Sequence, residues 1–356
     1  MADIEELRKL IEEQLTTSLP QTVNTLWKDQ AFGSIPKAVT DSLIMNLITP
    51  CHNLLSLGGK RWRPLLQVLC AGIVSTSCNR DADLQDAIKL TPLVEFVHTA
   101  SLIHDDIEDK ATERRGKPCA HITYGTDAAL NAGAWLYFLA PAVIDTLNCS
   151  SEKKAQLYSM WTMELRRLHL GQAMDIYWHN NPDIFPPLEE YQAMVQHKTG
   201  TLCALAVTTG VICGGADSQK AQEAGLLARR LGEGFQILDD VQNLSTGNPG
   251  KKRGDDIVEG KKSLPVLMHI QKHPEDSKII AQYFTAAGKN GFTDPAVENC
   301  IRLLEEAGSI KAAFDQGRSL VQKTCTLLTD LFGVTPQNNE YARMIHELFT
   351  KMLPAV

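Results

Sequence analysis

Hydrophobic residues recur every three to four positions along most of the chain, which is the spacing of one face of an α-helix. Near the amino-terminal end, Ile4, Leu7, Ile11 and Leu15 follow this spacing in an otherwise acidic segment. Strand-like alternation of apolar and polar residues is scarce. The pattern predicts helices over residues 3–19, 38–57, 62–77, 83–105, 127–147, 152–178, 188–197, 200–213, 219–244, 263–271, 276–287, 294–306, 308–331 and 338–352.

Turn-forming residues separate these helical segments, as at Gly58-Gly59, Asn180–Pro182 and Gly214-Gly215. No linker-like or low-complexity stretch divides the chain, and no long internal repeat is visible. We therefore expect a single all-α domain over residues 1–356. In such a helical bundle a ligand site lies between facing helices.

The composition narrows the possible functions. The chain has 356 residues, of which 44% are hydrophobic and 22% charged, enough for a large core. The formal net charge of −7 argues against a nucleic-acid-binding surface. Nine cysteines are scattered without a C-x-x-C pair. This arrangement favours a reducing, cytoplasmic environment over a disulfide framework or a zinc site.

The most apolar stretch of the chain covers residues 128–144. It contains Asn131 and Pro141 and is short for a bilayer span. We interpret it as a buried helix. Because the chain also does not open with a signal peptide, we expect a soluble protein without stable membrane insertion.

Two groups of aspartates end apolar segments that are far apart in the sequence. Asp105, Asp106 and Asp109 follow one helical run, and Asp239 and Asp240 end another. Residues four apart share a helix face, so Asp105 and Asp109 are predicted to lie side by side. Mg²⁺ takes a few carboxylate oxygens and completes its shell with water and phosphate. The groups therefore indicate two walls of a site that holds a diphosphate through Mg²⁺, whereas either pair alone is more often a helix cap or a solvated face.

Basic residues are clustered near both aspartate groups. The loop Gly58–Pro64 carries one lysine and two arginines ahead of a predicted helix, where cations and backbone N–H groups can bind an anion. Arg114 and Arg115 can address two phosphates in opposite directions, or they belong to a solvated helix end. The glycine-rich basic segment 250–263 can close over an anionic ligand and exclude water, or it is a plain flexible loop.

Six short motifs occur in a fixed order between residues 50 and 265. They are Gly58-Gly-Lys-Arg-x-Arg-Pro64, Asp105-Asp-x-x-Asp109 with Arg114-Arg-Gly-x-Pro118 downstream, Gly171-Gln-x-x-Asp175, Lys198-Thr199, Phe235-Gln-x-x-Asp-Asp240 and Gly254-x-Asp256-x-x-Glu259-Gly-Lys261. In these motifs and their order the chain resembles the trans-isoprenyl diphosphate synthases, or polyprenyl synthetases, which include farnesyl and geranylgeranyl diphosphate synthases. The resemblance implies the all-α isoprenoid synthase fold, a helical bundle around a central active-site cavity.

The resemblance also implies roles for the acidic residues. Asp105, Asp109 and Asp239 are the expected magnesium ligands, with Asp106 and Asp240 supporting them. Three Mg²⁺ ions are expected in each active site. The residues expected to take part in catalysis are Asp105, Asp106, Asp109, Arg114, Lys198, Asp239 and Lys261.

Two substrate sites follow from the same resemblance. The residues expected to bind isopentenyl diphosphate are Lys60, Arg63, His98 and Arg115. Those expected to bind the allylic diphosphate are Arg114, Lys198, Thr199, Gln236, Lys261 and one lysine after the second aspartate group. A difference of one residue in loop length leaves Lys251 and Lys252 as competing matches for that lysine.

The implied reaction is the Mg²⁺-dependent condensation of isopentenyl diphosphate with an allylic diphosphate, carried out by a homodimer. In this family a bulky side chain one helical turn before the first aspartates stops growth of the product early. The chain has the small residues Ala100 and Ser101 there, so we expect an all-trans product of C20 (geranylgeranyl) or longer. The residues expected to line or close the tunnel are Phe96, Ala100, Ser101 and one of Trp135, Tyr137 and Phe138.

Asn243 departs from the family pattern, which usually has aspartate at that position. Two other functions are possible for a chain with these motifs. A class I terpene cyclase needs a second-wall pattern that fails here, with asparagine at position 243 and glycine at position 247. A non-catalytic partner subunit of a prenyl synthase usually loses an aspartate group, and both groups are retained.

Overall fold

The computed structural model describes residues 3–78, 83–247 and 252–353. Two short 3-10 helices, Ala140–Thr146 and Pro274–Asp276, and one antiparallel hairpin, Glu113–Arg114 (β1) with Lys117–Pro118 (β2), accompany the α-helices. The α-helices are Ile4–Ser18 (α1), Thr25–Phe32 (α2), Asp41–Ser56 (α3), Trp62–Ser77 (α4), Gln85–Lys89 (α5), Pro92–Glu108 (α6), Ala120–Tyr124 (α7), Thr126–Leu139 (α8), Ser151–His179 (α9), Leu188–Lys198 (α10), Gly200–Cys213 (α11), Ser218–Ser245 (α12), Asp255–Val258 (α13), Leu264–Lys272 (α14), Ser277–Asn290 (α15), Pro295–Glu306 (α16), Ser309–Asp330 (α17) and Glu340–Met352 (α18). The all-α fold class is confirmed.

Most predicted helices are confirmed to within a few residues at each end. The segment 83–105 was predicted as one helix and is two, α5 and α6, because Pro92 has no N–H to donate and begins a new helix at its first turn. The segment 127–147 is α8 followed by a 3-10 helix. Helices α2, α7 and α13 and the β1–β2 hairpin were not predicted. Each is short, so its periodicity is weak.

The described residues fall into two compact units. The first takes its residues from Met1–Met163, Leu205–Ala224 and Leu331–Ile345. The second takes them from Glu164–Ala204, Gly225–Asp330 and His346–Val356. The first aspartate group belongs to the first unit and the second group to the second. The single-domain organisation stays a prediction.

Helix α6 is the central element of the first unit. It packs against α1, α3, α4, α7 and α8, and its residues from Pro92 to Val97 are all buried. A helix that is apolar on all sides is stable only inside a core. The carboxyl-terminal turn of α6 carries Asp105, Asp106 and Asp109, so the core of the unit fixes the position of these carboxylates.

In the second unit, α14 packs against α10, α16 and α17, and α15 packs against α13 and α16. Helix α10 buries Tyr191, Met194 and Val195 on one face, and α14 buries Leu264 and Leu267. Lys198 and Thr199 follow the buried face of α10, and Lys261 precedes α14. The packing of these two helices therefore fixes the backbone that carries the three polar side chains.

Candidate active site

The three aspartates at the end of α6 have different environments. Asp106 is 1% exposed and accepts hydrogen bonds at Oδ1 from Nε of Arg114 at 2.8 Å and from Nη2 at 2.5 Å. Asp105 and Asp109 are half-buried and lie one helical turn apart, with the Asp109 N–H donating to the Asp105 carbonyl at 2.8 Å. Asp106 therefore anchors the segment that follows, while Asp105 and Asp109 lie nearer the surface.

The β1–β2 hairpin orients the two adjacent arginines. Arg115 and Gly116 have φ values of 54° and 75°. Positive φ at both central residues is typical of the tight turn that joins two twisted antiparallel strands. Arg114 reaches Asp106, whereas Nη1 of Arg115 donates to the carbonyl of Gly58. The two guanidinium groups thus have separate partners, and neither belongs to a solvated helix end.

The four residues expected to bind isopentenyl diphosphate lie around one loop of the first unit. Nη1 of Arg63 is 3.5 Å from Nε2 of His98, and Arg115 contacts the loop at Gly58. Lys60 is exposed in the same loop. A side chain at position 59 would come within 3.1 Å of Nη2 of Arg115, which explains the glycine there. The loop therefore brings three cationic side chains and one imidazole together.

This cluster is electrostatically prepared for an anion. Burial, reinforced by the charge of Arg63 and neighbouring arginines, holds the pKa of His98 well below its ordinary value, so the imidazole is neutral near pH 7. Burial and the charge of Arg61 also lower the pKa of Arg115. The positive charges of the arginines repel one another, and a bound diphosphate would relieve that repulsion.

The second aspartate group repeats the division seen in the first. Asp239 is exposed, whereas Asp240 is 6% exposed and accepts hydrogen bonds from Nε2 of Gln236 at 2.8 Å and from the Tyr191 hydroxyl at 2.9 Å. The Thr199 hydroxyl donates to Oε1 of Gln236 at 2.7 Å. Thr199 and Gln236, both expected near the allylic diphosphate, thus belong to one network that fixes Asp240.

Two lysines of the second unit share an acidic neighbour. Nζ of Lys198 lies 2.6 Å from Oδ2 of Asp175, and Nζ of Lys261 lies 2.5 Å from the Glu259 carboxylate. Burial raises the pKa of Asp175, but the charges of Lys198 and Lys261 outweigh this effect and leave it below its ordinary value. The motifs around residues 175, 198 and 261 therefore lie close to one another within the second unit.

The segment after the second aspartate group is held by Asn243. This side chain is 1% exposed, and its Oδ1 accepts from the Asp256 N–H at 3.2 Å. Its Nδ2 is buried and has no hydrogen-bond partner among the described residues. Lys252 is exposed and lies 5.0 Å from the centre of the Phe292 ring. Lys251 lies outside the described residues, so the choice between the two lysines stays open.

The expected chain-length residues are dispersed. Phe96 and Ala100 are buried on α6, and Ser101 is half-buried with its hydroxyl donating to the His98 carbonyl. Trp135 stacks against Phe32, 5.8 Å between ring centres, in a cluster with Trp27. Phe138 is 76% exposed, so it does not line the interior of this unit, because its position on α8 points away from the core. Tyr137, the next residue back, is buried against the His104 ring.

The donor set suits Mg²⁺ that is shared with a ligand. Within the three described stretches, no three His, Cys, Asp or Glu side chains come together closely enough to hold a metal ion alone. Mg²⁺ commonly takes one or two carboxylates and completes its octahedral shell with water and substrate phosphate. Within the first unit, Asp105 and Asp109, one turn apart near the surface, fit that requirement, and the exposed Asp239 offers one carboxylate in the second unit.

Sequence reasoning missed several residues that support the site. Tyr191, which fixes Asp240, gave no signal beyond an apolar helix face. Arg61, in the basic loop, is 5% exposed and binds the buried Glu95 and Glu12 of α1. A lone glutamate inside the apolar run of α6 was the available signal, because a buried acid is retained only when it has a partner.

Comparison with known proteins identifies the family. The sequence model of the polyprenyl synthetase family matches residues 45–302. The chain belongs to the polyprenyl synthetases. It is 32% identical over 261 residues to a short chain isoprenyl diphosphate synthase of Methanocaldococcus jannaschii, covering 73% of this chain and 76% of that protein. It is 32% identical over 314 residues to a geranylgeranyl pyrophosphate synthase of Macrophomina phaseolina, covering 86% and 89%.

The fold of this polyprenyl synthetase also matches solved structures. A geranylgeranyl pyrophosphate synthetase from Pyrococcus horikoshii superposes with a TM-score of 0.80 at 28% identity, over 99% of this chain and 97% of that one. The protein is therefore an enzyme that transfers prenyl groups, with the all-α isoprenoid synthase fold.

Proposed function

We propose that this polyprenyl synthetase condenses isopentenyl diphosphate with an allylic diphosphate, in the presence of Mg²⁺, to form an all-trans polyprenyl diphosphate of C20 or longer. The observation that carries the proposal is the cationic cluster around the Gly58–Pro64 loop. Arg63 lies 3.5 Å from His98, Arg115 adds its positive charge to the surroundings of that neutral imidazole, and Lys60 is exposed in the same loop. His98 lies two helical turns before Asp105 on α6, so this group is separate from the aspartates at the end of the helix. An enzyme that handles one diphosphate, such as a terpene cyclase, has no use for this second anion site.

The residues of the chain divide the work between two substrates. Lys60, Arg63 and Arg115 bind the diphosphate of isopentenyl diphosphate and orient its double bond. Asp105, Asp109 and Asp239 hold Mg²⁺, which when bound stabilises the negative charge of the leaving diphosphate. The allylic C–O bond breaks, the double bond attacks the allylic carbon, and the departing diphosphate is positioned to accept the proton. No histidine or glutamate base is then needed.

Lys198 and Lys261 supply further positive charge to the allylic diphosphate. Asp175 holds Lys198, Glu259 holds Lys261, and the charges of both lysines act on the Asp175 carboxylate. Preorganised cations stabilise charge that develops in the transition state without reorganising during the reaction. The segment that carries Lys261 also excludes water, which would otherwise quench the allylic cation.

Product length is proposed from α6. Ala100 offers only a methyl group one turn before Asp105, and Phe96 lies one further turn back. One helical turn rises by about 5.4 Å, close to the length of one isoprene unit. The geranylgeranyl synthases among the relatives agree with a C20 product.

A cytoplasmic homodimer is proposed for the assembled enzyme. Leu130 and Phe138 are 50% and 76% exposed and lie two turns apart on α8, which gives this helix an apolar outer face for a second copy. Within the described residues, the segment Thr126–Thr146 has the length and composition of a membrane span, but 56% of its apolar 18-residue stretch is buried in the fold. All nine cysteines are free thiols. Phe138→Glu should convert the dimer to monomer in light scattering; an unchanged dimer would contradict the assigned face.

Product analysis tests the catalytic proposal directly. The purified chain alone is incubated with isopentenyl diphosphate, Mg²⁺ and dimethylallyl, geranyl or farnesyl diphosphate, and the products are analysed by mass spectrometry. We expect C20 or longer linear diphosphates. A cyclic hydrocarbon would favour a cyclase, and absence of turnover by the chain alone would favour a partner subunit. Release of C15 as the sole product would contradict the proposed chain length.

A further inference from the structure

The basic loop contains a buried arginine, Arg61, whose side chain binds other groups of the protein. The Arg61 guanidinium donates to Oε1 of Glu95 from Nη1 at 2.6 Å, to Oε1 of Glu12 from Nε at 2.6 Å and to the Leu55 carbonyl from Nη2 at 2.6 Å. Every nitrogen of the side chain thus has a partner. Arg61 is only 5% exposed, and each of its side-chain nitrogens donates to an acceptor of the protein, so its role differs from that expected for Lys60 and Arg63.

Arg61 also has an unusual backbone conformation. Its φ is 44°, in the left-handed region, at the residue that precedes the first turn of α4. A side chain in this region costs roughly 1–2 kcal/mol, so the surrounding contacts must hold it. The conformation sets the direction in which the chain leaves the exposed Lys60 and enters the turn that carries Arg63.

The partners of Arg61 come from two different helices. Glu95 is 3% exposed on α6, two residues from the buried Val97 and three from His98. Glu12 is on α1, which packs against α4, α5 and α6 through Leu7, Ile11 and Leu15. Helix α1 lies outside residues 45–302, the part matched by the family model, and yet it contributes a carboxylate to the loop.

The two carboxylates also offset the positive charge of the loop. Burial raises the pKa of Glu95, and the charges of Arg61, Arg63 and Arg115 oppose that rise. All three arginines are therefore close enough to interact with this one buried acid. Without it, their mutual repulsion would drive the loop apart whenever no diphosphate is bound.

We propose that Glu12 and Glu95 act through Arg61 as positioning residues for isopentenyl diphosphate. They hold the Gly58–Arg63 loop in the conformation that presents Lys60 and Arg63 to the diphosphate. The inference rests on the proposed function, in which this loop binds isopentenyl diphosphate. Its distinctive consequence is that a substitution on the amino-terminal helix changes the affinity for one substrate and leaves the other unaffected.

Glu12→Gln tests the proposal, with Glu13→Gln as the matched control. The Glu13 side chain is exposed on the same turn. Kd for isopentenyl diphosphate is measured by titration calorimetry in the absence of the allylic substrate, and KM for both substrates and the Tm are measured in parallel. We expect Glu12→Gln to raise Kd and KM for isopentenyl diphosphate about threefold to tenfold, less than the loss of a charge-assisted hydrogen bond to the substrate itself, because glutamine keeps one acceptor for Arg61. KM for the allylic substrate and the Glu13→Gln control should not change, and the Tm of Glu12→Gln should fall only slightly, because glutamine keeps an acceptor for Arg61.

Two further variants test whether Glu12 acts through Arg61. Glu12→Asp keeps the charge and should restore part of the affinity. In an Arg61→Gln background, Glu12→Gln should have no additional effect, because the interaction it removes is already absent. If the Arg61 variant does not fold, the Glu12→Asp comparison decides the question alone.

Several outcomes would overturn the inference. An unchanged Kd in Glu12→Gln, or an equal rise in KM for both substrates together with a lower Tm, would show that the contact is only structural. Wild-type protein that binds isopentenyl diphosphate without turnover would contradict the proposed function and leave the positioning role standing. Wild-type protein that does not bind it would overturn both.

Discussion

Asp105→Asn and Asp106→Asn form a matched pair that separates catalysis from stability. The two residues are neighbours at the end of α6, and each substitution removes one negative charge with almost no change of shape. Their environments differ: Asp106 is buried on the Arg114 guanidinium, and Asp105 lies nearer the surface. We expect Asp105→Asn to lower turnover with little loss of stability, and Asp106→Asn to lower stability.

The expected magnitudes follow from the contacts. A hydrogen bond to a charged group contributes about 1.5–3 kcal/mol and a neutral one about 0.5–1.5 kcal/mol, so neutralising Asp106 weakens each of its two bonds by roughly 1–1.5 kcal/mol. The free energy of unfolding should therefore fall by about 2–3 kcal/mol. Burial is the main cause of the raised pKa of Asp106, and the negative charge of Asp105 adds to that rise. Removing that charge relieves repulsion, so Asp105→Asn should be neutral or slightly stabilising.

Turnover should respond in the opposite order. A carboxylate that holds Mg²⁺ against the leaving group contributes several kcal/mol, so Asp105→Asn should reduce kcat by about 100-fold or more. The measurements are kcat at saturating substrates and urea unfolding without substrate. Near-normal turnover of Asp105→Asn, or an equal loss of stability in Asp105→Asn and Asp106→Asn, would contradict the roles assigned to the two aspartates.

Four further predictions concern other parts of the molecule. Chelation of divalent cations should abolish turnover, and added Mg²⁺ should restore it. Lys60→Ala should raise KM for isopentenyl diphosphate about 10-fold or more without lowering the Tm, and an equal effect on the allylic substrate would contradict the two-site assignment. Ala100→Phe should shorten the product toward C15 in mass spectrometry; a lower Tm with unchanged products would mean that Ala100 only packs in the core. Burial lowers the pKa of Lys262 from 10.5 to about 8. Between pH 8 and pH 10.5 the unfolded chain therefore binds a proton that the folded chain lacks, and the free energy of unfolding should rise with pH over this range by about 3 kcal/mol. Lys262→Met should remove that rise, as measured by urea unfolding at pH 8 and 10.

The fold was largely predictable because long amphipathic helices leave a clear periodicity. Local chemistry accounts for the exceptions. Helix α2 has eight residues and begins at Thr25, where Oδ1 of Asn24 accepts from the Trp27 N–H at 2.9 Å. Its cap was readable in the sequence, but eight residues contain too few turns for a periodic signal. The hairpin depends on Arg115 adopting positive φ, a conformation that is uncommon outside glycine, asparagine and aspartate.

The candidate site was predictable by residue type, whereas the contacts that support it were not. Motif order named Asp106 and Arg114, but tertiary structure alone pairs them. Phe138 shows that the orientation of a predicted helix is a separate question from its existence. Its neighbours Tyr137 and Leu139 are buried while Phe138 is 76% exposed. Asp127 and Asn131 precede Phe138 by eleven and seven positions on the same helix face, and both are exposed. These two polar residues were the available signal for the outer face of α8, and the prediction of the helix did not use them.

The two aspartate groups share a division of labour that explains why each contains adjacent carboxylates. Successive residues on a helix point about 100° apart, so when one faces the core its neighbour faces elsewhere. Asp106 faces Arg114 and Asp240 faces Gln236 and Tyr191, while Asp105 and Asp239 lie nearer the surface. The buried member fixes the rotation of the helix end and thereby the direction of the other. A single aspartate at either place would have to provide both the anchor and the ligand, and one carboxylate on one rotamer cannot face two directions.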